Sequence, residues 1–325
     1  FRSGSTTDGC DAVTNGPAIT GKFALVDRGN CNFTVKAKNA QVAGAIGIVV
    51  ANNVAGGSLP SMGGTDATVT IPAVGISLED GAKIKMALGT GPVNATMKGG
   101  IVERDGSLDG GIVSHEWGHI LSNRLIGNGS GLLYSPGRSM GEGWSDFNAM
   151  LMMIRSDDEM AAANANWSGA FPTGAPSVWA PGNRAFYEGI RRYPYSTDMT
   201  KNPLTFKHME AGVALPASPT PAFGANGADN GEVHSSGEVW ATALWECYAA
   251  LLNDKTRLTF QQAQERMRRY LVASLKLTPP NPSFTEARDA MLFAMFSSDR
   301  KDYDLCVDGF AKRGFGSGAV ASDPS

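Results

Sequence analysis

The sequence predicts a small open α/β module followed by a mainly α-helical lobe. Two observations carry that prediction. Before about residue 90, short apolar runs of strand length alternate with stretches of helical spacing. After about residue 105, the residues able to do chemistry recur four positions apart, the spacing of one helix face. The Gly-rich stretch from Gly89 to Gly100 lies between, so residues 1–99 and 100–325 are expected as distinct domains.

In the first module, Gly21-Lys-Phe-Ala-Leu-Val-Asp-Arg-Gly29 reads as a short strand ending in a turn. Asn32 to Ala43 has helical spacing, with Phe33, Val35, Ala37 and Ala40 apolar. Ala45-Ile-Gly-Ile-Val-Val-Ala51 is a continuous apolar run of strand length. Thr70 to Ile76 is a further strand, followed by a helix from about Leu78 to Leu88. This module has no histidine and no nucleophile–base pair.

The second region opens on His115-Glu116-Trp117-Gly118-His119. Two imidazoles at i and i+4 share a helix face and can reach one metal ion, the pattern of a zinc hydrolase. The preceding loop, Asp105 to Ile112, ends in a helix start with Asp109 as its cap. Ile112, Val113, Ile120 and Leu121 are expected to form the buried side. Catalytic zinc usually takes three protein ligands and leaves one place for water. Glu142, in Met140-Gly-Glu-Gly-Trp-Ser-Asp146, suits the third. Asp146, one turn on, can accept a hydrogen bond from the free ring nitrogen of a ligand histidine. Glu116 follows a ligand directly, so it points beside the metal, as a general base would. A tetrahedral intermediate needs a further oxyanion donor. His234 offers one at the start of a helix expected from about Gly237 to Leu252, with Asp229 five residues earlier to orient and charge it. Of the four histidines, only His208 is left without a role, and it reads as a surface or packing residue. Trp117, Trp144, Trp240 and Trp245 read as core, as do Met150, Met152 and Met153. Asp105 and Asp109 form a loop pair that offers two carboxylates to Ca2+.

His115-Glu-Trp-Gly-His119, Met140-Gly-Glu-Gly-Trp-Ser-Asp146 and Gly231-Glu-Val-His234-Ser-Ser-Gly-Glu-Val-Trp-Ala241 resemble the fungalysin family of secreted zinc endopeptidases. The resemblance extends to Gly189-Ile-Arg-Arg-Tyr-Pro-Tyr-Ser-Thr-Asp198 and Phe310-Ala-Lys-Arg-Gly-Phe-Gly-Ser-Gly-Ala319, and spans roughly residues 100–320. It implies a thermolysin-like lobe with Zn2+ on His115, His119 and Glu142, Glu116 as catalytic base, and His234 backed by Asp229 as transition-state donor. It further implies that Arg191 holds a substrate carbonyl on the leaving-group side. Ile112 and Ile190 would line the primed-side pocket, favouring cleavage before bulky hydrophobic residues. Tyr134 is the tyrosine between the second histidine and the glutamate, one residue off the thermolysin spacing. The first module, chiefly Lys22 to Asn53, resembles the protease-associated (PA) domain, a non-catalytic insert of secreted proteases. In the fungalysin family that module follows a β-rich lobe and a propeptide, so the chain, which starts at Phe1, reads as a fragment lacking both.

The chain has 325 residues, with Lys+Arg 28 against Asp+Glu 31 and net charge −3. That balance makes no electrostatic case for nucleic acid or an anionic membrane, and no apolar run reaches transmembrane length. The partner expected is a protein or peptide substrate. Four cysteines fall in two pairs, Cys10 with Cys31 and Cys247 with Cys306. Disulfides in a secreted protein fit them; buried free thiols are the other reading. Two competing functions stand beside the protease: a zinc-containing binding fragment that cleaves nothing, and a two-zinc aminopeptidase. The latter needs a bridging carboxylate and further ligands, and only His208 is spare.

Overall fold

The computed structural model describes residues 7–54, 59–60, 62–97, 105–179 and 183–320. The chain falls into two compact units: Phe1–Glu103 with Ala180–Asn183, and Arg104–Trp179 with Arg184–Ser325.

In the first unit a single helical turn, α1 (Gly16–Ile19), precedes β1 (Phe23–Asp27), α2 (Phe33–Val42), β2 (Gly47–Ala51), β3 (Ala73–Ile76) and α3 (Leu78–Thr90). β1 and β3 both pair with β2 in parallel, Val26 opposite Val50 and Val50 opposite Gly75. The central β2 is covered on both faces, which is why it reads as an unbroken apolar run rather than an alternation. Ile48 and Val50 are fully buried, with Ala24, Val26, Ala37 and Ala40 around them. A Cβ on Gly81 would lie 2.4 Å from that of Ala51, so only glycine lets α3 come this close to β2. Cys10 and Cys31 form a disulfide. Lys36 is fully buried beside it; its ammonium donates to the carbonyls of Asp8 and Gly29. Burial pushes its pKa down. The stretch Pro92–Met97 carries no helix or strand, and the rest of the expected linker, 98–100, lies outside the described residues.

The second unit is helical: α4 (Gly110–Leu125), α5 (Gly137–Met153), single turns α6 (Ala175–Val178) and α7 (Ala185–Glu188), α8 (Val233–Asn253), α9 (Phe260–Leu277), α10 (Phe284–Phe296) and α11 (Arg300–Lys312). Helix α8 is buried on every side from Ser235 to Ala249, the pattern of a helix wrapped by its neighbours. Its own Trp240 packs against Trp144 and Phe310, and its Trp245 against Phe171. Thr259 and Ser283 start α9 and α10 with reciprocal capping boxes. The disulfide Cys247–Cys306 joins α8 to α11 in the core. Among the described residues, no helix is long and apolar enough to cross a membrane.

Two crossings in this unit are made of main chain. A Cβ on Gly118 of α4 would lie 2.5 Å from Cα of Ser145 on α5. A Cβ on Gly143 of α5 would lie 2.5 Å from the carbonyl of Gly237 on α8. This close approach corrects one expectation. The buried face of α4 is Ser114, His115, Gly118 and Ser122, whereas Val113 and Ile120 are about half exposed. The helix docks through small residues; of the aliphatic positions expected inside, Leu121 packs against the core and Ile112 is half-buried. Trp117, Met152 and Met153, expected in the core, are likewise exposed, while Met150 and the other three tryptophans of the prediction are buried.

Candidate metal centre

Helix α4 begins where the loop chemistry places it: Asp109 Oδ1 accepts from the Gly111 amide, and Oδ2 accepts from the Ser177 amide and hydroxyl. One and two turns on, His115 and His119 project from the same face. The glycine crossings bring α5 under them. His115 Nε2 lies 3.1 Å from His119 Nε2 and 3.2 Å from Glu142 Oε2. His119 Nε2 lies 3.5 Å from Glu142 Oε1. Among the described residues, these three side chains are the one group of three or more whose ligand atoms all fall within 4.8 Å of one another.

The donors fit a zinc ion. Two nitrogens about 2.0–2.1 Å from zinc at a tetrahedral angle stand roughly 3.3 Å apart, which matches all three edges. Glu142 Oε2 is buried and has no hydrogen-bond partner, a costly condition for a carboxylate oxygen unless a cation faces it. The groups nearest to it are His115 Nε2 at 3.2 Å, His234 Nε2 at 3.4 Å and Arg191 Nη2 at 3.9 Å.

Behind the histidines lies Asp146, fully buried. Its Oδ1 accepts from His115 Nδ1 at 2.7 Å and Arg191 Nη2 at 2.9 Å; its Oδ2 accepts from Arg191 Nε at 2.5 Å and from the Tyr195 hydroxyl. The bond to Nδ1 leaves the Nε2 lone pair facing the cluster. Burial alone would push the His115 ring down; the hydrogen bond to Asp146 and the nearby Glu142 carboxylate override it and raise the ring to about 9. Burial would raise both acids, but His115 and His119 hold Glu142, and Arg191 holds Asp146, well below the usual carboxylate range.

Glu116 is exposed next to His115, and its carboxylate forms no hydrogen bond among the described residues. His234 sits in the first turn of α8, which starts a turn earlier than its sequence predicts, and its Nε2 is 3.4 Å from Glu142 Oε2. The carboxylate on its other nitrogen is Glu232, not Asp229. Glu232 Oε1 lies 2.7 Å from His234 Nδ1, while Oε2 accepts from the amides of His234 and Ser235. The earlier helix start makes Glu232 its cap and turns that side chain toward the ring. Asp229 is exposed and contributes its main-chain carbonyl to the Glu232 amide.

Arg191 is buried with two of its three nitrogens on Asp146, and it borders a cavity of about 240 Å³ with Ile190, Phe223 and His234. Its neighbour Arg192 is spent elsewhere, on Glu238, Asn230 and the Ser235 carbonyl. Ile112 and Ile190 meet over Gly174, whose Cβ would lie 2.8 Å and 3.1 Å from them. Tyr134 is exposed in the turn before α5 and its ring touches none of the cluster residues. Asp105 accepts from the Ser107 amide, so both members of the acidic loop pair act as caps. His208 is buried as a cap: its Nδ1 accepts from the Thr205 amide, and burial pushes its pKa down to about 4. Sequence reasoning assigned no role to Tyr195, Glu232 and the crossing glycines. Tyr195 and the glycines lay inside quoted motifs, but only the crossings reveal what they touch.

Two histidines and a glutamate on crossed helices, backed by a buried aspartate and flanked by a free glutamate, define a metallopeptidase-type centre. Residues 65–319 match the family model of the fungalysin metallopeptidases (M36), and the chain belongs to that family. Residues 3–84 match the PA domain. The extracellular metalloproteinase mep of Aspergillus niger is 36% identical over 233 residues, 67% of this chain and 32% of the relative. The extracellular metalloproteinase MEP of Pyricularia oryzae is 35% identical over 233 residues, again 67% and 32%. The extracellular metalloproteinase 10 of Coccidioides posadasii is 33% identical over 231 residues, 66% and 32%. The chain thus spans about a third of the length of the curated relatives it matches.

Proposed function

We propose that this chain carries the metal centre of a secreted zinc endopeptidase acting on proteins or peptides, with residues 1–99 as its accessory PA module. The observation that carries this reading is the meeting of His115, His119 and Glu142 within ligand distance, with one buried glutamate oxygen left unpartnered. Extracellular location is supported by the names of the relatives and by two disulfides in the structure.

His115, His119 and Glu142 would hold zinc, which when bound supplies a Lewis acid that acidifies water and polarises a carbonyl. Asp146 fixes the His115 tautomer and is itself fixed by Arg191 and Tyr195. Glu116 takes the proton of the attacking water and returns it to the leaving amine; its exposure and lack of a partner suit that shuttle. His234 donates from Nε2 to the oxyanion, with Glu232 on Nδ1 orienting the ring. Arg191, which borders the cavity beside His234, would hold a substrate carbonyl, and Ile112 with Ile190 would offer an apolar wall to a side chain beyond the cut. The test is hydrolysis of a quenched peptide by the full-length protein with and without a zinc chelator. Loss on chelation and recovery on adding zinc are expected; chelator-resistant cleavage would overturn the reading. A folded, zinc-loaded full-length protein that cleaves no peptide would favour the binding role instead.

A further inference from the structure

The chain contains four Asn-x-Ser/Thr tripeptides with no proline in the middle: Asn32-Phe-Thr34, Asn94-Ala-Thr96, Asn128-Gly-Ser130 and Asn166-Trp-Ser168. A fifth, Asn281-Pro-Ser283, is barred by its proline. We propose that Asn32, Asn94 and Asn128 carry N-linked oligosaccharide, an inference that rests on the secretory reading above but not on the protease chemistry.

The three sites share features that the fold did not have to provide. Each asparagine is exposed, and none of their carboxamides makes a hydrogen bond among the described residues. Asn32 stands at the N-cap of α2, where asparagine normally bonds the first amides, yet its side chain makes no such bond. Asn94 lies in the extended stretch after α3, with exposed neighbours on both sides. Asn128 is in the left-handed region at φ 50°, between two glycines at φ 58° and 93°, at the tip of the turn after α4. A sugar on any of these nitrogens displaces no contact. The Asn166 side chain is exposed too, but its main chain is engaged: its backbone N–H donates to Glu159, its backbone carbonyl accepts from the Asn253 carboxamide, and Trp167, the middle residue of the tripeptide, is buried in the core.

The chemistry needs a co-substrate of one class, an oligosaccharide linked to a lipid diphosphate. The asparagine nitrogen attacks the anomeric carbon; a C–N bond forms, the C–O bond to the diphosphate breaks, and the diphosphate leaves with the electron pair as the amide loses one proton. The hydroxyl residue two positions on is part of the acceptor tripeptide. Disulfide formation and this transfer both belong to the secretory route, so the two closed cystines agree with it.

The test takes the full-length protein from the medium of its source cells, releases sugars with a peptide-N-glycosidase in heavy-oxygen water, and maps the peptides by mass. Heavy aspartate at positions 32, 94 and 128 is expected. Unlabelled asparagine at all three in protein recovered from the medium overturns the proposal while leaving secretion intact. Protein found only inside the cells and unlabelled overturns both, and label at Asn166 alone also overturns it. In a yeast secretory host, Thr34→Ala, Thr96→Ala and Ser130→Ala should each remove one step from the glycoform ladder, with peptide hydrolysis unchanged; a ladder that none of them shortens refutes the assignment.

Discussion

Two fully buried aspartates of the helical unit are built alike and do different work. Asp146 accepts from Arg191, Tyr195 and His115. Asp302 accepts from Arg257, Arg266 and Tyr270, with Asp299 sharing the two arginines. Each arrangement satisfies a buried charge with guanidinium and phenol, as burial demands. The difference is one ring. Asp146 spends an oxygen on an imidazole whose other nitrogen faces an unpartnered glutamate oxygen, so its order is passed outward to a reactive place. Around Asp302 every donor ends in the network itself, which ties α9 to α11 and the turn after α8. A buried, paired aspartate is therefore not a functional mark; the outward-facing group it holds is.

That contrast can be broken in order of size. Glu116→Gln should lower peptide hydrolysis by about 10²–10⁴-fold with metal content unchanged, since only the proton shuttle is removed; unaltered turnover would take Glu116 out of the mechanism. Asp146→Asn should weaken zinc binding by about 10–100-fold, read by competition with a chelating dye. Asp302→Asn should instead cost about 3–5 kcal/mol of stability in urea unfolding and leave zinc affinity of the folded protein unchanged. If both variants lose zinc equally, the distinction drawn here fails.

Smaller effects sharpen the account at the two remaining histidines. Glu232→Gln should lower kcat more than it raises KM, because it removes the acid on His234 Nδ1. Asp229→Asn should do less; the reverse ranking would restore Asp229 as the orienting acid. His208 gives the mildest test. Its folded pKa of about 4 lies below its ordinary 6.5, so the fold favours the neutral ring. The stability it adds is present above pH 6.5 and is lost as pH falls toward 4. His208→Asn, which keeps an acceptor for the Thr205 amide, should flatten that part of the urea midpoint against pH; an unchanged slope would remove the ring as its source.

The pattern of what was legible in the sequence follows from range. The His115/His119 and Glu142/Asp146 pairs are i, i+4 relations, internal to one helix, and spacing alone exposes them. The strand and helix order of the first unit is likewise local, and its disulfide partners were grouped by module. What depends on contacts between helices was hidden. Periodicity cannot say that Gly118 meets Ser145 main chain to main chain, which leaves Val113 and Ile120 half exposed. Glu232 was passed over for Asp229 because the choice turns on α8 beginning at Val233 rather than a turn later. The crossing glycines 118, 143 and 237 were read as letters of a motif, whereas they set the distance between the ligands.

The central claim is that three side chains from α4 and α5 hold a single ion. Its most direct measurement is metal content per chain, by elemental analysis after dialysis, for the unaltered protein, Glu116→Gln and Glu142→Ala. One zinc, one zinc and none is the predicted series. Zinc retained in full by Glu142→Ala, with the fold intact by circular dichroism, would contradict it.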